Sequence, residues 1–271
     1  IIVEKRIYIL FLIPVTLTTF LILYLPTTYD ESFTYVNFIN RGIAVSASYY
    51  PAPNNHVLFS VISSLINFFD FKTILPFRIL SLIFFILSLL MFVKILIFQK
   101  GKIKNYYFLL ISTFPLTFVF VYQSSLARGY SLLIFLLLIN IFLLQKIFRE
   151  QNNDYLKAFS FISSLAFYTI PSYFFSHLIF CIVILFFKKK SFLFLIKSNL
   201  LILLFTIILY FPIIIFQGYD FLFQQNLIER IEYKEIFLFI DRSIFILENE
   251  IFGNSIYVVL FTILISFVLA I

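Results

Sequence analysis

The sequence is poor in cysteine, tryptophan and charge. Its 271 residues include one cysteine, Cys181, and no tryptophan, and only 12% of them are charged. A single cysteine excludes an intrachain disulfide and any metal site made of cysteines alone. Soluble domains carry about 25% charged and about 45–50% apolar residues. The scarcity of charge therefore excludes a soluble enzyme, a disordered chain and a disulfide-stapled secreted domain.

What the sequence does contain is apolar side chains. They make up 62% of the residues, and the mean hydropathy is +1.07. A domain of about 300 residues still leaves about a quarter of its unfolded surface in water, and this chain has too few polar residues to cover that surface. The composition predicts an all-α, polytopic transmembrane helical bundle. The net charge of +7 then reflects cations on the cytoplasmic side, and we expect no nucleic-acid partner.

Eight apolar runs mark the candidate helices: Ile7–Leu25, Val57–Phe69, Ile79–Phe98, Tyr106–Tyr122, Gly129–Gln145, Ala158–Phe187, Leu200–Phe216 and Ile256–Ile271. A span needs about 20 residues, and a helix over Val57–Phe69 would be only about 20 Å long. We expect that run to lie along the outer membrane surface. Pro171 interrupts Ala158–Phe187, which predicts a hairpin of two short helices; one long kinked helix is the alternative.

The distribution of lysine and arginine predicts the sidedness. With a non-crossing surface helix and a hairpin, 13 of the 20 cations lie inside and seven outside. If Val57–Phe69 crossed, the cations near Lys102 and Lys146 would move outside, against the positive-inside rule. We therefore predict a multi-pass protein of the cell (cytoplasmic) membrane with two outer loops, residues 26–56 and 217–255.

The domain expectation is one transmembrane domain, 1–271, that belongs to a longer protein. The chain begins with Ile1 rather than Met, and its last apolar run stops after 16 residues. The first apolar run has no small-residue cleavage site behind it, which is typical of an anchor rather than a removable signal peptide.

The first outer loop contains the candidate catalytic pair, Asp30 and Glu31, five and six residues after the first span. Adjacent carboxylates at headgroup depth can divide the roles of general base and partner. They can also simply cap a helix that starts near Ser32, because acids favour helix N-termini. The sequence leaves both interpretations open.

Three further polar residues lie at predicted outer ends. His56 precedes the surface helix and suits a phosphate, a metal or a helix start. Arg128 suits bidentate phosphate binding or an interfacial anchor, and Arg78 occupies the matching position one span earlier. We expect His177 and Cys181, four residues apart, to pack rather than bind a metal.

The order of these segments resembles the bacterial GT-C-type membrane glycosyltransferases. After one span come an outer Asp-Glu pair, a Pro-Asn-Asn-His block, Leu-Pro-Phe-Arg at a span start and Ala-Arg-Gly-Tyr at another. The pattern is most similar to the protein mannosyltransferase-like group, which includes lipopolysaccharide aminoarabinose and galacturonic acid transferases. The resemblance covers nearly the whole chain and rests on the order of its short motifs.

The resemblance implies an inverting transferase with a polyprenyl-phosphate sugar donor. Asp30 would be the general base, with Glu31 as its partner, and Arg128, Arg78 and His56 would hold the donor phosphate. The acceptor would be an extracytoplasmic glycan, lipid or protein, and a divalent metal stays an open possibility. Tyr130 stands where some relatives place an aspartate after the arginine.

Other functions stay open at this stage. A polymerase or ligase acting on lipid-linked oligosaccharides is the enzymatic alternative. A secondary transporter or lipid-linked sugar flippase is the alternative of another class, because discontinuous helices such as the one at Pro171 can build midplane sites. Against transport, the predicted spans contain few ionisable residues and the acids cluster outside.

Overall fold

A computed structural model describes residues 2–51, 55–100, 117–150, 153–187 and 191–218. Within these ranges every regular element is a helix, as predicted. Apart from residues 117–119, the described residues belong to one compact unit. The predicted outer loop 217–255, beyond Gly218, and the run Ile256–Ile271 lie outside the described residues, as does most of Tyr106–Tyr122.

Ten α-helices lie within the described residues. In chain order they are α1 Ile2–Tyr24, α2 Tyr29–Asn37, α3 Ile43–Ser48, α4 Val57–Ile66, α5 Leu75–Lys100, α6 Phe118–Ser125, α7 Tyr130–Glu150, α8 Asn153–Thr169, α9 Tyr173–Phe187 and α10 Ser191–Gln217. Single 3₁₀ turns, Ile39–Arg41 and Asn67–Phe69, follow α2 and α4.

Three of the described helices are long and apolar enough to cross a membrane. They are Leu75–Phe98 of α5, Tyr130–Glu150 of α7 and Phe192–Gln217 of α10. A bent pair, Phe11–Tyr24 with Tyr29–Arg41, would add a fourth if its 73° bend counts as one broken span. Only 11% of the apolar stretch of α10 is buried, which suits a helix that faces lipid.

The described part of the predicted outer loop 26–56 is mostly helical, and its outward placement stays a prediction. It contains α2, one 3₁₀ turn and α3. A hydrogen bond between the hydroxyls of Ser46 and Ser64, 2.6 Å long, ties α3 to α4. Six residues are too few for a stable isolated helix, so α3 owes its form to such packing.

Helix α4 starts and ends beside α2. At its start, His56 lies 3.3 Å from Arg128, whose guanidinium also donates to Thr34 of α2. Beyond its end, the carbonyl of Phe71 accepts from the hydroxyl of Tyr35, also in α2. Both ends of α4 therefore lie near α2, and α4 with its 3₁₀ turn is too short to count as a span. That this helix does not cross the membrane stays a prediction.

The Ala158–Phe187 run forms a helical hairpin. The helix stops at Thr169, and turn hydrogen bonds from Tyr173 and Phe174 reach back to Ile170 and Pro171. The rings of Phe159 and Phe180 lie 6.1 Å apart, whereas one continuous helix would separate these residues by about 32 Å. The predicted hairpin is confirmed and the single kinked helix is excluded.

Two apolar clusters hold the helices together. The larger joins α7, α8, α9 and α10 around Leu136, Phe159, Tyr173 and Ile184, and it includes Phe59 of α4. The smaller joins α1, α5 and α6 through Phe11, Phe85, Leu89, Val93 and Phe120. Leucine, isoleucine and phenylalanine side chains along α1, α9 and α10 are exposed, as expected of surfaces in contact with acyl chains.

Candidate functional site

Helix α2 begins with a capping box. Thr28 is the N-cap; the backbone N–H of Glu31 donates to the Thr28 hydroxyl (3.3 Å), and the Thr28 backbone N–H donates to Glu31 Oε2 (2.9 Å). The helix therefore starts at Tyr29 rather than near Ser32. The Thr-x-x-Glu spacing carries this signal in the sequence. For Glu31, the structure shows the capping alternative.

The carboxylate of Glu31 is also half of a buried ion pair. Arg78 donates from Nε to Oε1 (2.8 Å) and from Nη2 to Oε2 (2.7 Å), a bidentate contact. The backbone N–H of Ala127 donates to Oε1 as well (2.7 Å), and the Glu31 side chain is fully buried. Both carboxylate oxygens are thus engaged with protein groups, and Glu31 positions α2.

Arg78 is committed to the same structural role. Its remaining guanidinium N–H groups donate to the carbonyls of Ile22, Leu25 and Pro26 at the end of α1, at 2.8–3.0 Å. Burial favours a raised pKa for Glu31, but the hydrogen bonds from Arg78, Ala127 and Thr28 and the charge of Arg78 outweigh it and lower the pKa below its usual value. The pair locks the α1–α2 corner to the start of α5.

Asp30, next to Glu31, faces the other way. Its side chain is 52% exposed, and its Oδ2 lies 4.0 Å from Nη2 of Arg128. The Arg128 guanidinium also donates from Nη1 to the Asp30 carbonyl (3.2 Å) and to the Thr34 hydroxyl (2.9 Å). The structure thus separates two adjacent acids, one sealed in an ion pair and one accessible beside a cation.

Arg128 is buried, with 1% of its surface exposed. It lies in the turn between α6 and α7, and the ring of Tyr130 is 5.9 Å from its Cζ. Tyr130 therefore supplies an aromatic neighbour at the position where the resemblance implies an aspartate in some relatives.

His56 occupies the N-cap position of α4 but makes no capping hydrogen bond. Its ring is 3% exposed and points at the turn that holds Arg128. The backbone N–H of Gly129 donates to Nδ1 (2.8 Å), and Nε2 lies 3.3 Å from Nη2 of Arg128. A helix-start role for this side chain is therefore not what the structure shows.

The Gly129 contact fixes the tautomer of His56. Because Nδ1 accepts a hydrogen bond it carries no proton, and the neutral ring must then carry its proton on Nε2. The 3.3 Å contact between Nε2 and Nη2 of Arg128 is therefore a contact between two N–H donors. Burial and the charge of Arg128 lower the pKa of His56 well below its usual value, which keeps the ring neutral.

Gly129 permits this approach because it has no side chain. A Cβ at this position would lie 2.9 Å from Cβ of His56, 3.0 Å from Cγ2 of Thr169 and 3.1 Å from Nδ1 of His56. Cβ atoms in proteins essentially never lie as close as 2.9 Å to a heavy atom of a non-neighbouring residue. The nearest atoms of His56 and Thr169 lie close to their own backbones, so moving them aside would cost free energy. Gly129 is thus a positioning residue that the sequence did not single out.

The structure brings three of the five predicted site residues together: Asp30, Arg128 and His56. It places Glu31 and Arg78 directly behind them as the buried pair, joined to the site through the Ala127 N–H. Sequence reasoning missed Thr34 and Gly129, whose roles depend on contacts across 94 and 73 residues. Of the contacts in this site, only the capping box at the start of α2 could be recognised from a local sequence pattern.

Metal ligation has little support in the described part of the chain. No group of three or more histidine, cysteine, aspartate or glutamate side chains there could hold an ion. His177 hydrogen-bonds Asn199 through Nε2 (2.8 Å) and lies 3.5 Å from the thiol of Cys181, a helix-to-helix contact between α9 and α10.

In the part of the chain that the structure describes, these contacts define the class: an all-helical fold with three candidate membrane spans and a polar cluster where α2, α4 and the α6–α7 turn meet. Comparison with protein-family models, with curated proteins and with solved structures found no match for the chain.

Proposed function

We propose that the protein is an integral membrane glycosyltransferase of GT-C type. It transfers a hexosyl or pentosyl group from a polyprenyl-phosphate donor to a glycan, lipid or protein acceptor on the outer face of the cell membrane. One observation supports the proposal above the others: an accessible carboxylate, Asp30, lies 4.0 Å from the buried guanidinium of Arg128, which is flanked by the Nε2–H of His56.

The proposed reaction is an inverting displacement, as the resemblance implies. Asp30 takes the proton from the acceptor hydroxyl, and the acceptor oxygen forms the new bond to the anomeric carbon. The bond from that carbon to the phosphate oxygen breaks, and its electron pair stays on the polyprenyl phosphate. General-base assistance of this kind contributes about 10²–10⁴-fold in rate.

The two donors beside Asp30 suit the departing phosphate. The N–H groups of Arg128 and of neutral His56 lie side by side, so an oxygen between them would accept from both. Donors held in place before the reaction stabilise charge that develops on a leaving group. Gly129 sets the His56 tautomer, and Thr34 helps orient the Arg128 guanidinium.

Glu31 and Arg78 enter this proposal as supporting residues. Their buried pair fixes the start of α2, which carries Asp30. The expectation that Arg78 binds the donor phosphate is hard to combine with its three carbonyl contacts and its bidentate contact with Glu31.

Asp30→Asn tests the proposal. We expect sugar transfer from a polyprenyl-phosphate donor to fall by about 10²-fold or more, with normal amounts of protein in the membrane. Asp70→Asn is the matched control: Asp70 is exposed and adopts a left-handed conformation (φ 55°) that asparagine also accepts. Wild-type transfer by Asp30→Asn would overturn the assignment of Asp30 as the base.

One observation favours the alternative, a secondary transporter or lipid-linked sugar flippase. Asn140 donates to the hydroxyls of Tyr173 (2.8 Å) and Ser163 (3.3 Å) inside the α7–α8–α9 packing, beside the break at Pro171. Discontinuous helices with buried polar groups build transport sites. Movement of a labelled sugar lipid across vesicles that survives Asp30→Asn and is lost in Asn140→Leu would favour this alternative.

A further inference from the structure

A second polar cluster lies at the opposite end of the α5–α7 pair. Phe98, Gln145, Phe148 and Arg149 line a cavity of about 280 Å³. Arg78 and Phe98 are twenty residues apart in one helix, so the cavity lies about 30 Å from the Glu31–Arg78 pair. That distance equals the thickness of a hydrocarbon core, which puts the cavity at the other headgroup level.

Three cations surround aromatic rings beside this cavity. Arg149 lies over the ring of Phe98 (4.9 Å), and Lys94 and Lys146 both lie over the ring of Phe142, at 5.0 and 5.6 Å. Phe98 and Phe142 pack edge to face at 5.3 Å, so the cations share one aromatic cluster.

The cluster carries excess positive charge. Glu150 lies 3.8 Å from Lys146, and among the described residues Lys94 and Arg149 have no carboxylate within ion-pair distance. Three cations and one acid leave a local charge of +2. Arg149 is exposed, and one N–H group of its guanidinium donates to the carbonyl of Phe98 (2.8 Å). Its other N–H groups are available to an anion.

The cavity floor contains an acceptor. The side-chain oxygen of Gln145 is buried and makes no hydrogen bond within the described part of the chain. Cationic residues whose only role is to orient a protein in the membrane require no cavity and no unpaired side-chain amide beside them. The cavity and the Gln145 carboxamide therefore indicate a further role.

We propose that this cavity binds the headgroup of an anionic glycerophospholipid, of the phosphatidylglycerol kind, from the adjacent leaflet. The phosphate contacts Arg149, a headgroup hydroxyl donates to Gln145, and the acyl chains run along the apolar surface beside Phe98 and Phe148. Basic pockets between membrane helices recognise anionic headgroups in this way. By the predicted sidedness the leaflet is the cytoplasmic one. The proposal does not depend on the transferase function.

Native mass spectrometry of the purified protein in detergent tests the site. Phosphatidylglycerol is titrated against phosphatidylethanolamine, and soluble sn-glycerol 1-phosphate is added as a competitor. We expect phosphatidylglycerol to bind about tenfold more tightly than phosphatidylethanolamine and about tenfold more weakly to Arg149→Gln, the loss of one charge-assisted hydrogen bond. Gln145→Leu should weaken phosphatidylglycerol binding as well.

Arg41→Gln is the control, because Arg41 is an exposed arginine in the 3₁₀ turn after α2. It should leave lipid binding unchanged. An equal loss of phosphatidylglycerol affinity in Arg41→Gln and Arg149→Gln would mean that only the overall charge matters. Equal affinity for the two lipids would mean that the protein does not recognise the headgroup. Displacement of the lipid by millimolar glycerol phosphate would identify a free-phosphate site. Each of these three results would overturn the proposal.

Discussion

Adjacent acidic residues in this protein have opposite environments. Asp30 is half exposed, while Glu31 is sealed between Arg78, the Ala127 N–H and the Thr28 N–H. The helical geometry explains the difference, because successive residues of a helix point about 100° apart. The sequence left open whether the Asp-Glu pair is catalytic or caps a helix, and it could not tell which member would be buried. That assignment depends on Arg78, 47 residues further along the chain.

Glu31→Gln should destabilise the protein strongly. The substitution removes the charge that compensates a guanidinium with 4% exposure, and breaking a buried ion pair from one side costs about 3–5 kcal/mol. Thermal unfolding in detergent measures the loss. Asp30→Asn, one residue away, should leave the midpoint unchanged. If Glu31→Gln were as stable as wild type, the pair would not be the lock between α1, α2 and α5.

His56 should contribute to donor binding as a neutral donor. Its surroundings explain why: Arg128 lies 3.3 Å from Nε2, Tyr130 packs against the ring, and Asp30 lies behind Arg128. Since the pKa of His56 is lowered well below its usual value, the ring stays neutral from about pH 7 to 8. The donor KM should therefore stay flat over this range. A charged imidazole would instead lose affinity as the pH rises through its pKa.

Substitutions at the same site separate this role from packing. His56→Gln keeps an N–H donor and should raise the donor KM less than His56→Phe, which keeps the bulk and loses the donor. Gly129→Ala should resemble His56→Phe, because the new Cβ would lie 2.9 Å from that of His56. Equal KM values for His56→Gln and His56→Phe would assign the ring a packing role alone.

At the scale of elements, most of the helix predictions rested on the lengths of the apolar runs and on the position of proline. Helices α5 and α7 match apolar runs of the sequence with extensions of up to five residues, α10 begins nine residues before its run, and the α8–α9 hairpin follows from Pro171. For residues 26–56 the sequence left open a helix near Ser32 and did not predict α3, because the stability of such short helices comes from distant partners. Thr34 is held by Arg128 and Ser46 by Ser64, contacts that no local pattern encodes.

A single-cysteine experiment tests the level at which α4 ends. Lys72 is exposed in the connection after α4, and Lys157, in α8, is predicted to lie on the inner side. In a Cys181→Ser background, Lys72→Cys should react with an impermeant maleimide added outside intact cells, and Lys157→Cys only after the membrane is opened. Labelling of residue 72 solely from the cytoplasmic side would mean that the predicted sidedness is wrong.

At the scale of the whole molecule, the same two helices connect both polar clusters. Helix α5 carries Arg78 at one end and Phe98 at the other, and α7 runs from Tyr130 to Arg149. The composition predicted a membrane protein from excess apolar surface, and the structure has exposed apolar faces on α1, α9 and α10. The composition could not predict the two clusters, because each depends on how the matching ends of the parallel helices α5 and α7 meet.

The distance between the clusters leads to a prediction of independence. Sites further than about 7–10 Å apart with no shared partners change the free energy additively, within about 0.5 kcal/mol, and these clusters are about 30 Å apart. Asp30→Asn should therefore leave phosphatidylglycerol binding unchanged, Arg149→Gln should leave the donor KM unchanged, and the double variant should show both defects at their single-variant size. The rigid α5–α7 pair offers the physical route for a different result. If Arg149→Gln altered the donor KM by more than about threefold, the lipid at one membrane surface would regulate the site at the other through these helices.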